Sequence, residues 1–152
     1  MAMPSQNSTT GLKNFPSESV RVLVVDDQEF MRSALRRLLS AQPFFKLCGE
    51  ANDGYEAVEK AMELKPQAIV MDINMPGMDG LEATRRIHKV LPNIEILIFT
   101  QHEPLQVAQA AEDAGAHGCV SKSEAAQQLV PALRTVCEHR TFFPSSKAYG
   151  DD

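Results

Sequence analysis

The chain has 152 residues, of which 43% are hydrophobic and 23% charged, a length and balance typical of one globular domain. Its formal net charge of -5 and its pI near 5.4 argue against a broad basic surface for nucleic acid. No apolar run approaches the roughly 18 residues of a membrane span, and the first residues lack the apolar core of a secretory signal. We therefore expect a cytoplasmic protein with no membrane partner and no direct nucleic-acid binding by this chain.

The three cysteines Cys48, Cys119 and Cys137 lie far apart and form no CxxC motif. An odd number of unpaired thiols is typical of a reducing compartment. We expect Cys48 and Cys137 to act as small buried hydrophobic residues.

Composition divides the chain into three parts. Residues 1–19 are rich in Ser, Thr, Asn, Gly and Pro and show no apolar period, which predicts a disordered N-terminal arm. Residues 20–139 alternate between short apolar runs and longer amphipathic segments, which predicts the folded domain. Residues 140–152 predict a C-terminal tail or the start of a linker.

The first half of this domain predicts two strand–helix units. Val20–Val25 is apolar and β-branched, as a buried strand is. Residues 30–39 place apolar side chains at helical spacing, with three arginines outside the stripe. Residues 44–50 predict a weaker strand, and residues 55–62 predict a helix that Pro66 ends.

The second half predicts three more units of the same kind. Its strands are short apolar runs at residues 68–71, 94–99 and 118–120. Its helices follow at residues 81–91, 104–114 and 124–138, the middle one closed by Gly115.

Five strands alternating with five helices predict an α/β fold in which helices cover both faces of a parallel sheet. The chain is too short for an eight-unit barrel. We therefore expect a doubly wound, flavodoxin-like (βα)5 domain with strand order 2-1-3-4-5. Sites in such sheets lie beyond the carboxyl ends of the strands.

Chemically active side chains follow four of the predicted strands. Asp26 and Asp27 end the first strand, Asp72 the third and Thr100 the fourth, and Lys122 follows the fifth. Each alone has a plainer explanation, such as a helix cap, a turn or an exposed surface residue. Their shared position at strand ends favours one common site.

A cluster of three carboxylates needs a cation to offset its repulsion, and Mg²⁺ or Mn²⁺ with oxygen ligands is suitable. Together with Lys122 and the hydroxyl of Thr100, such a site is suited to hold a phosphoryl group. The nucleophile would then be a carboxylate that forms an acyl phosphate. Asp72 is the best candidate because it ends the predicted central strand.

Four segments resemble the receiver domains of response regulators in two-component signalling, over residues 20–139. They are VLVVDD at residues 22–27, VMDINMPGMDG at 70–80, IFT at 98–100, and AGAHG at 114–118 with Lys122 after it. The second of these is the most specific, since it is similar to the family's phosphoacceptor motif.

The resemblance implies a role for each site residue. Asp72 would accept a phosphoryl group from a sensor histidine kinase or a phosphotransfer protein. Asp27 and Asp72 would bind Mg²⁺ directly, Asp26 through water, and Asn74 through its backbone carbonyl. Thr100 would act as the switch hydroxyl, and Lys122 would pair with the phosphoryl group.

The same resemblance implies an output face made by the fourth helix, the fifth strand and the fifth helix, which also offers a surface for a homodimer. The domain would be no conventional enzyme, but would catalyse its own phosphoryl transfer and slow dephosphorylation. No organic cofactor is expected.

Two positions depart from the usual family pattern. Cys119 stands where an aromatic residue is usual, so coupling there is weaker or runs through other side chains, and a redox role for the thiol is an alternative. Ser123 stands where proline often follows the lysine, which is typical of the NarL-like subfamily.

Other readings stay open. A pseudo-receiver that acts as a protein-interaction module without phosphorylation is the main alternative. A haloacid-dehalogenase-type phosphatase needs an acid two residues after the nucleophile, where this chain has Asn74. A flavin-binding protein would place phosphate against Asp26 and Asp27. The chain is expected to be a stand-alone receiver or the receiver part of a transcription regulator.

Overall fold

The computed structural model describes residues 19–144 of the chain. Within them, five strands alternate with five α-helices. The strands are β1 (Val20–Val25), β2 (Phe45–Ala51), β3 (Ala68–Asp72), β4 (Glu95–Thr100) and β5 (Gly118–Ser121). The helices are α1 (Glu29–Ser40), α2 (Gly54–Leu64), α3 (Gly80–Val90), α4 (Pro104–Ala114) and α5 (Ala125–Cys137). A 3-10 turn, Lys122–Glu124, joins β5 to α5.

The strands form one parallel sheet of order β2-β1-β3-β4-β5. Its register aligns the strand ends, because Val25 pairs with Met71, Asp72 with Phe99, and Thr100 with Ser121. We call the row formed by these carboxyl ends the carboxyl edge of the sheet. The residues that follow β1, β3, β4 and β5 therefore start from one line.

Two apolar cores lie on opposite faces of the sheet. The first core packs α2, α3 and α4 on side chains such as Leu23, Ile69 and Ile98. The second core packs α1 and α5 on Val24 and Phe99, among others. Successive residues of β4 alternate between the two cores, as a strand with a period of two requires, and all of them are buried.

Several helix ends follow local sequence rules. The Asp53 and Asp79 side chains accept hydrogen bonds from backbone N–H groups in the first turns of α2 and α3. Gly115 ends α4 in the left-handed region with φ 105°, where a Cβ would also collide with the His88 ring. Pro131 lies inside α5 and removes one backbone donor from that helix.

The sequence-based prediction of the fold class is confirmed, including the strand order. The boundaries differ by a few residues, mainly where the last helix begins with a 3-10 turn instead of at Glu124. The predicted N-terminal arm lies almost wholly outside the described residues. In the predicted tail, Phe142 pairs with Gly118 of β5, so chain beyond residue 139 contacts the sheet.

The three thiols are unpaired and partly or fully buried. Burial raises the pKa of Cys48, and raises the pKa of Cys119 and of Cys137 to about 12. Such thiols stay protonated and behave as small hydrophobic groups. None of the helices within residues 19–144 is long and apolar enough to cross a membrane.

Candidate functional site

Three carboxylates converge at the carboxyl edge. Asp26 follows β1 and Asp72 ends β3, and the pairing of Val25 with Met71 sets these two acids level. One oxygen from each of Asp26, Asp27 and Asp72 lies within 4.8 Å of the others. Asp26 is fully buried and Asp72 is 3% exposed, whereas Asp27 faces solvent. Their oxygen donors suit a hard divalent cation that is open to water on one side.

Lys122, which follows β5 at the same carboxyl edge, completes the cluster. Its Nζ lies 2.8 Å from Asp26 Oδ2 and 3.1 Å from Asp72 Oδ1. The ammonium also lies 5.8 Å from the centre of the Phe99 ring. Burial works against the charged form of Lys122, but the hydrogen bond to Asp26 and the two negative charges outweigh it and raise its pKa. Lys122 therefore stays charged.

The electrostatics of Asp72 differ from those of an ordinary aspartate. Burial, followed by the negative charge of Asp26, raises its pKa from 3.8 to about 6, although Lys122 acts in the opposite direction. A carboxylate of this basicity is a better nucleophile than an exposed one and is still mostly ionised at pH 7.5. A strongly shifted pKa in a charged cluster is typical of functional sites.

Thr100 and Asn74 lie near this cluster and share a connection through His102. Thr100 is buried at the end of β4, and its Oγ1 accepts a hydrogen bond of 3.0 Å from the His102 backbone N–H. The His102 ring Nε2 lies 3.1 Å from Asn74 Oδ1, which links the loop after β4 to the loop after β3. Sequence reasoning missed His102, because nothing in its sequence context signals this contact.

The loop between β3 and α3 is held by a backbone hydrogen bond and by side chains buried in the first core. Gly80 N–H donates a 2.8 Å hydrogen bond to the Ile73 carbonyl oxygen, and a Cβ at Gly80 would collide with the backbone carbonyl of Asp72. The side chains of Met75 and Met78 are buried in the first core. These contacts hold the backbone on both sides of Asn74, so the loop has a defined shape.

Of the residues predicted from sequence, the structure brings Asp26, Asp27, Asp72 and Lys122 into direct proximity. Thr100 lies one residue beyond Phe99, which pairs with Asp72. Asn74 is exposed in the following loop. The metal and phosphoryl roles of all six residues remain predictions.

Comparison with known proteins identifies this class of domain. The model of the response regulator receiver domain family matches residues 22–134. The chain therefore belongs to the receiver domains of two-component response regulators.

Its relatives place it among the NarL-like receivers. It is 36% identical over 124 residues to the response regulator protein VraR of Staphylococcus saprophyticus, covering 82% of this chain and 59% of VraR. A LuxR-family response regulator from Aurantimonas is 36% identical with a TM-score of 0.81, covering 87% of this chain and 94% of that one. The receiver domain of NarL from Mycobacterium tuberculosis is 29% identical with a TM-score of 0.76, covering 81% and 99%. The chain spans less than two thirds of the length of VraR.

Proposed function

We propose that this receiver is activated by phosphorylation of Asp72, with the phosphoryl group coming from the phosphohistidine of a sensor kinase or a phosphotransfer protein. The observation that carries the proposal is the convergence of three carboxylates with Lys122 at the carboxyl edge. A cluster with this charge pattern serves phosphoryl transfer by positioning and by electrostatic stabilisation.

In the transfer step, an oxygen of Asp72 attacks phosphorus while the bond between phosphorus and the histidine nitrogen breaks. The departing imidazole keeps the electron pair and takes a proton. Burial favours the reaction by raising the basicity of Asp72. Lys122, already 3.1 Å from Asp72 Oδ1, needs only a small movement to pair with a phosphoryl oxygen.

The acid cluster fits Mg²⁺ or Mn²⁺ in number and type of donors. Asp27 and Asp72 would bind the ion directly, Asp26 through water, and Asn74 through its backbone carbonyl, leaving positions for water. When bound, the ion neutralises negative charge on the transferred group. The exposure of Asp27 leaves the cluster open to solvent on one side.

The output would follow from Thr100. Its hydroxyl now accepts the His102 backbone N–H, and turning it to donate to a phosphoryl oxygen would remove that hydrogen bond from the loop before α4. The face made by α4, β5 and α5 would then change shape and bind its target or a second copy. A cytoplasmic location belongs to the same proposal.

The test is the intact mass of the protein after incubation with acetyl phosphate and Mg²⁺. We expect a gain of one phosphoryl group, roughly 80 Da, which disappears in Asp72→Ala and in EDTA. Asp113→Ala, which removes an exposed aspartate on α4, is the matched control and should be phosphorylated like the wild type.

A different result would change the assignment. If the wild type gains no mass and binds no beryllofluoride with Mg²⁺, the site does not accept phosphoryl groups. The pseudo-receiver alternative, an interaction module independent of phosphorylation, would then take its place.

A further inference from the structure

The chain reverses direction after α5 in a way that leads it back to the sheet. His139 N–H donates to the Val136 carbonyl and Arg140 N–H to the Thr135 carbonyl, the pattern of a Schellman motif. His139 adopts the left-handed region with φ 65°, which is uncommon for a residue other than glycine. Its Nδ1 lies 2.8 Å from Oε2 of the buried Glu95, which anchors the turn to the start of β4.

Residues 140–144, which we call the edge segment, then pair with the outer side of β5. Phe142 N–H donates to the His117 carbonyl and Cys119 N–H donates to the Phe142 carbonyl, both at 2.9 Å. This is a parallel bridge between Phe142 and Gly118. If the pairing continued, the next donor would be residue 144, but Pro144 has no N–H. The ladder therefore stops after one bridge.

The side chains of the edge segment pack on both faces of the sheet. Phe142 packs against the second core and Phe143 against the first core, as alternation along a strand requires. A Cβ at Gly118 would lie 2.9 Å from the Phe142 carbonyl oxygen and 3.1 Å from its Cβ, so glycine allows this close approach. Cys119, level with Phe143, is small and lies in the same core.

We propose that the outer edge of β5 is a strand acceptor, meaning an edge that pairs with one further strand. The edge segment occupies this acceptor in the resting receiver and is released from it when the receiver is activated. The edge segment would then move away from β5 and expose backbone groups and apolar surface on both faces. This step rests on the proposed function, because activation is what releases it.

The route from Asp72 to the edge segment is short and continuous. Thr100 pairs with Ser121 on β5, and Ile98 pairs with Cys119, whose N–H holds Phe142. Loss of the hydrogen bond from His102 to Thr100 would free the loop that leads into α4. Because α4 contributes Val107 and Ala111 to the first core, its shift would loosen the packing around Phe143. The backbone bridge alone is too short to hold the segment.

Hydrogen exchange of the full chain, followed by mass spectrometry, tests this proposal. With Mg²⁺ and beryllofluoride, compared with Mg²⁺ alone, we expect the amides of Cys119 and Phe142 to exchange at least about fivefold faster. Peptides covering residues 72–78 should become more protected in the same sample, which reports binding at the site.

The outcomes separate the two proposals. Protection at residues 72–78 with unchanged exchange at Cys119 and Phe142 overturns the strand acceptor and leaves the proposed function intact. No change in either region means that the site does not bind the phosphoryl mimic, and both proposals fail.

Reciprocity gives a second, independent measurement. If activation releases the edge segment, weakening its attachment must favour activation by the same factor. Phe142→Ala should therefore bind beryllofluoride several-fold more tightly than the wild type. Phe44→Ala, which trims an aromatic ring on the β2 side of the second core, should not. Equal or weaker binding by Phe142→Ala contradicts the proposal.

Discussion

The burial that raises the basicity of Asp72 also makes its ionised form destabilising for the folded protein. It is buried beside Asp26, and this environment raises its pKa to about 6. In the unfolded chain the pKa of the same group is near 3.8. Above that pH, folding must therefore either protonate the carboxylate or bury it as a charge, and both cost free energy. The ionised side chain would serve as the nucleophile of the proposed phosphoryl transfer, and it is costly for the folded state.

Replacing Asp72 with Asn should therefore stabilise the protein at pH 7.5. The net shift of about two pKa units, which already includes the attraction to Lys122, corresponds to a gain of at most roughly 3 kcal/mol. Because the folded-state pKa is raised, the gain should shrink as pH falls through 6 and vanish near pH 4. Urea denaturation in EDTA measures this difference between the variant and the wild type.

Asp27→Asn is the control for Asp72→Asn, because Asp27 belongs to the same cluster but is exposed. Its effect on the free energy of unfolding should be within about 0.5 kcal/mol. A destabilised Asp72→Asn protein at pH 7.5 would show that Lys122 more than compensates for the burial of the charge.

Among the structural elements, the start of α3 leaves the least room for an added side chain. Gly80 is the first residue of this helix, and its Cα lies against the backbone carbonyl of Asp72. The contact places the helix directly against the end of β3. The position of Asp72 therefore depends on a residue that carries no side chain.

Gly80→Ala should displace either α3 or the end of β3. Since a methyl group there meets backbone that cannot rotate away, we expect a loss of about 2–3 kcal/mol. Thermal and urea unfolding measure the loss, and Mg²⁺ affinity of the folded fraction should fall as well. Arg85→Ala, on the exposed side of α3, should change stability by less than about 0.5 kcal/mol. A Gly80→Ala protein as stable as the wild type would refute the close-contact argument.

The elements also show where sequence patterns are sufficient. Runs such as Val20–Val25 specify their strand by local composition, and Gly115 ends α4 as predicted. The bridge between Phe142 and Gly118 joins residues that lie 24 positions apart. No local pattern encodes such a pairing, since it depends on where the chain emerges from α5 relative to β5. Nor does the sequence show that the last helix starts with a 3-10 turn at Lys122.

At the scale of the whole molecule, a histidine cluster lies at the end of the sheet opposite to the acids. His117 Nε2 is 3.6 Å from Glu95 Oε1, and the His88 ring lies 6.2 Å from the His117 ring. His139 contacts the other oxygen of Glu95. Burial lowers the pKa of His117, although the charge of Glu95 opposes this and His88 and His139 add to it. His117 Nδ1 also accepts the Ile96 N–H, which requires an unprotonated nitrogen.

The stability of the fold should therefore depend on the charge of His117. Because its folded-state pKa is lowered, the contribution is complete above pH 6.5 and is lost as pH falls towards the folded-state value. Between pH 7.5 and 5.5 the free energy of unfolding of the wild type should fall by more than that of His117→Asn. Asparagine keeps an acceptor for Ile96 N–H without titrating. Parallel slopes for both proteins in urea denaturation would show that His117 does not carry the effect.

The overall arrangement of the site could be predicted because the fold aligns the strand ends. Asp26, Asp72 and Lys122 are far apart in sequence, yet their positions after β1, β3 and β5 were enough to group them. The cluster around Glu95 was not predicted, since its members come from α3, from β4 and from two segments outside the helices and strands, without a shared pattern. His102 was missed for the same reason, as its contact with Asn74 joins two loops.

The strand β4 separates these two charged regions, with Glu95 at one end and Thr100 at the other. Five residue steps of about 3.3 Å each put the ends roughly 17 Å apart. Charges this far apart interact weakly through solvent, where the screening length is about 8 Å at physiological salt. Changes at the two ends should consequently have little direct electrostatic coupling. Any coupling between acid tolerance and the proposed phosphoryl chemistry must therefore run through the edge segment, which His139 joins to Glu95.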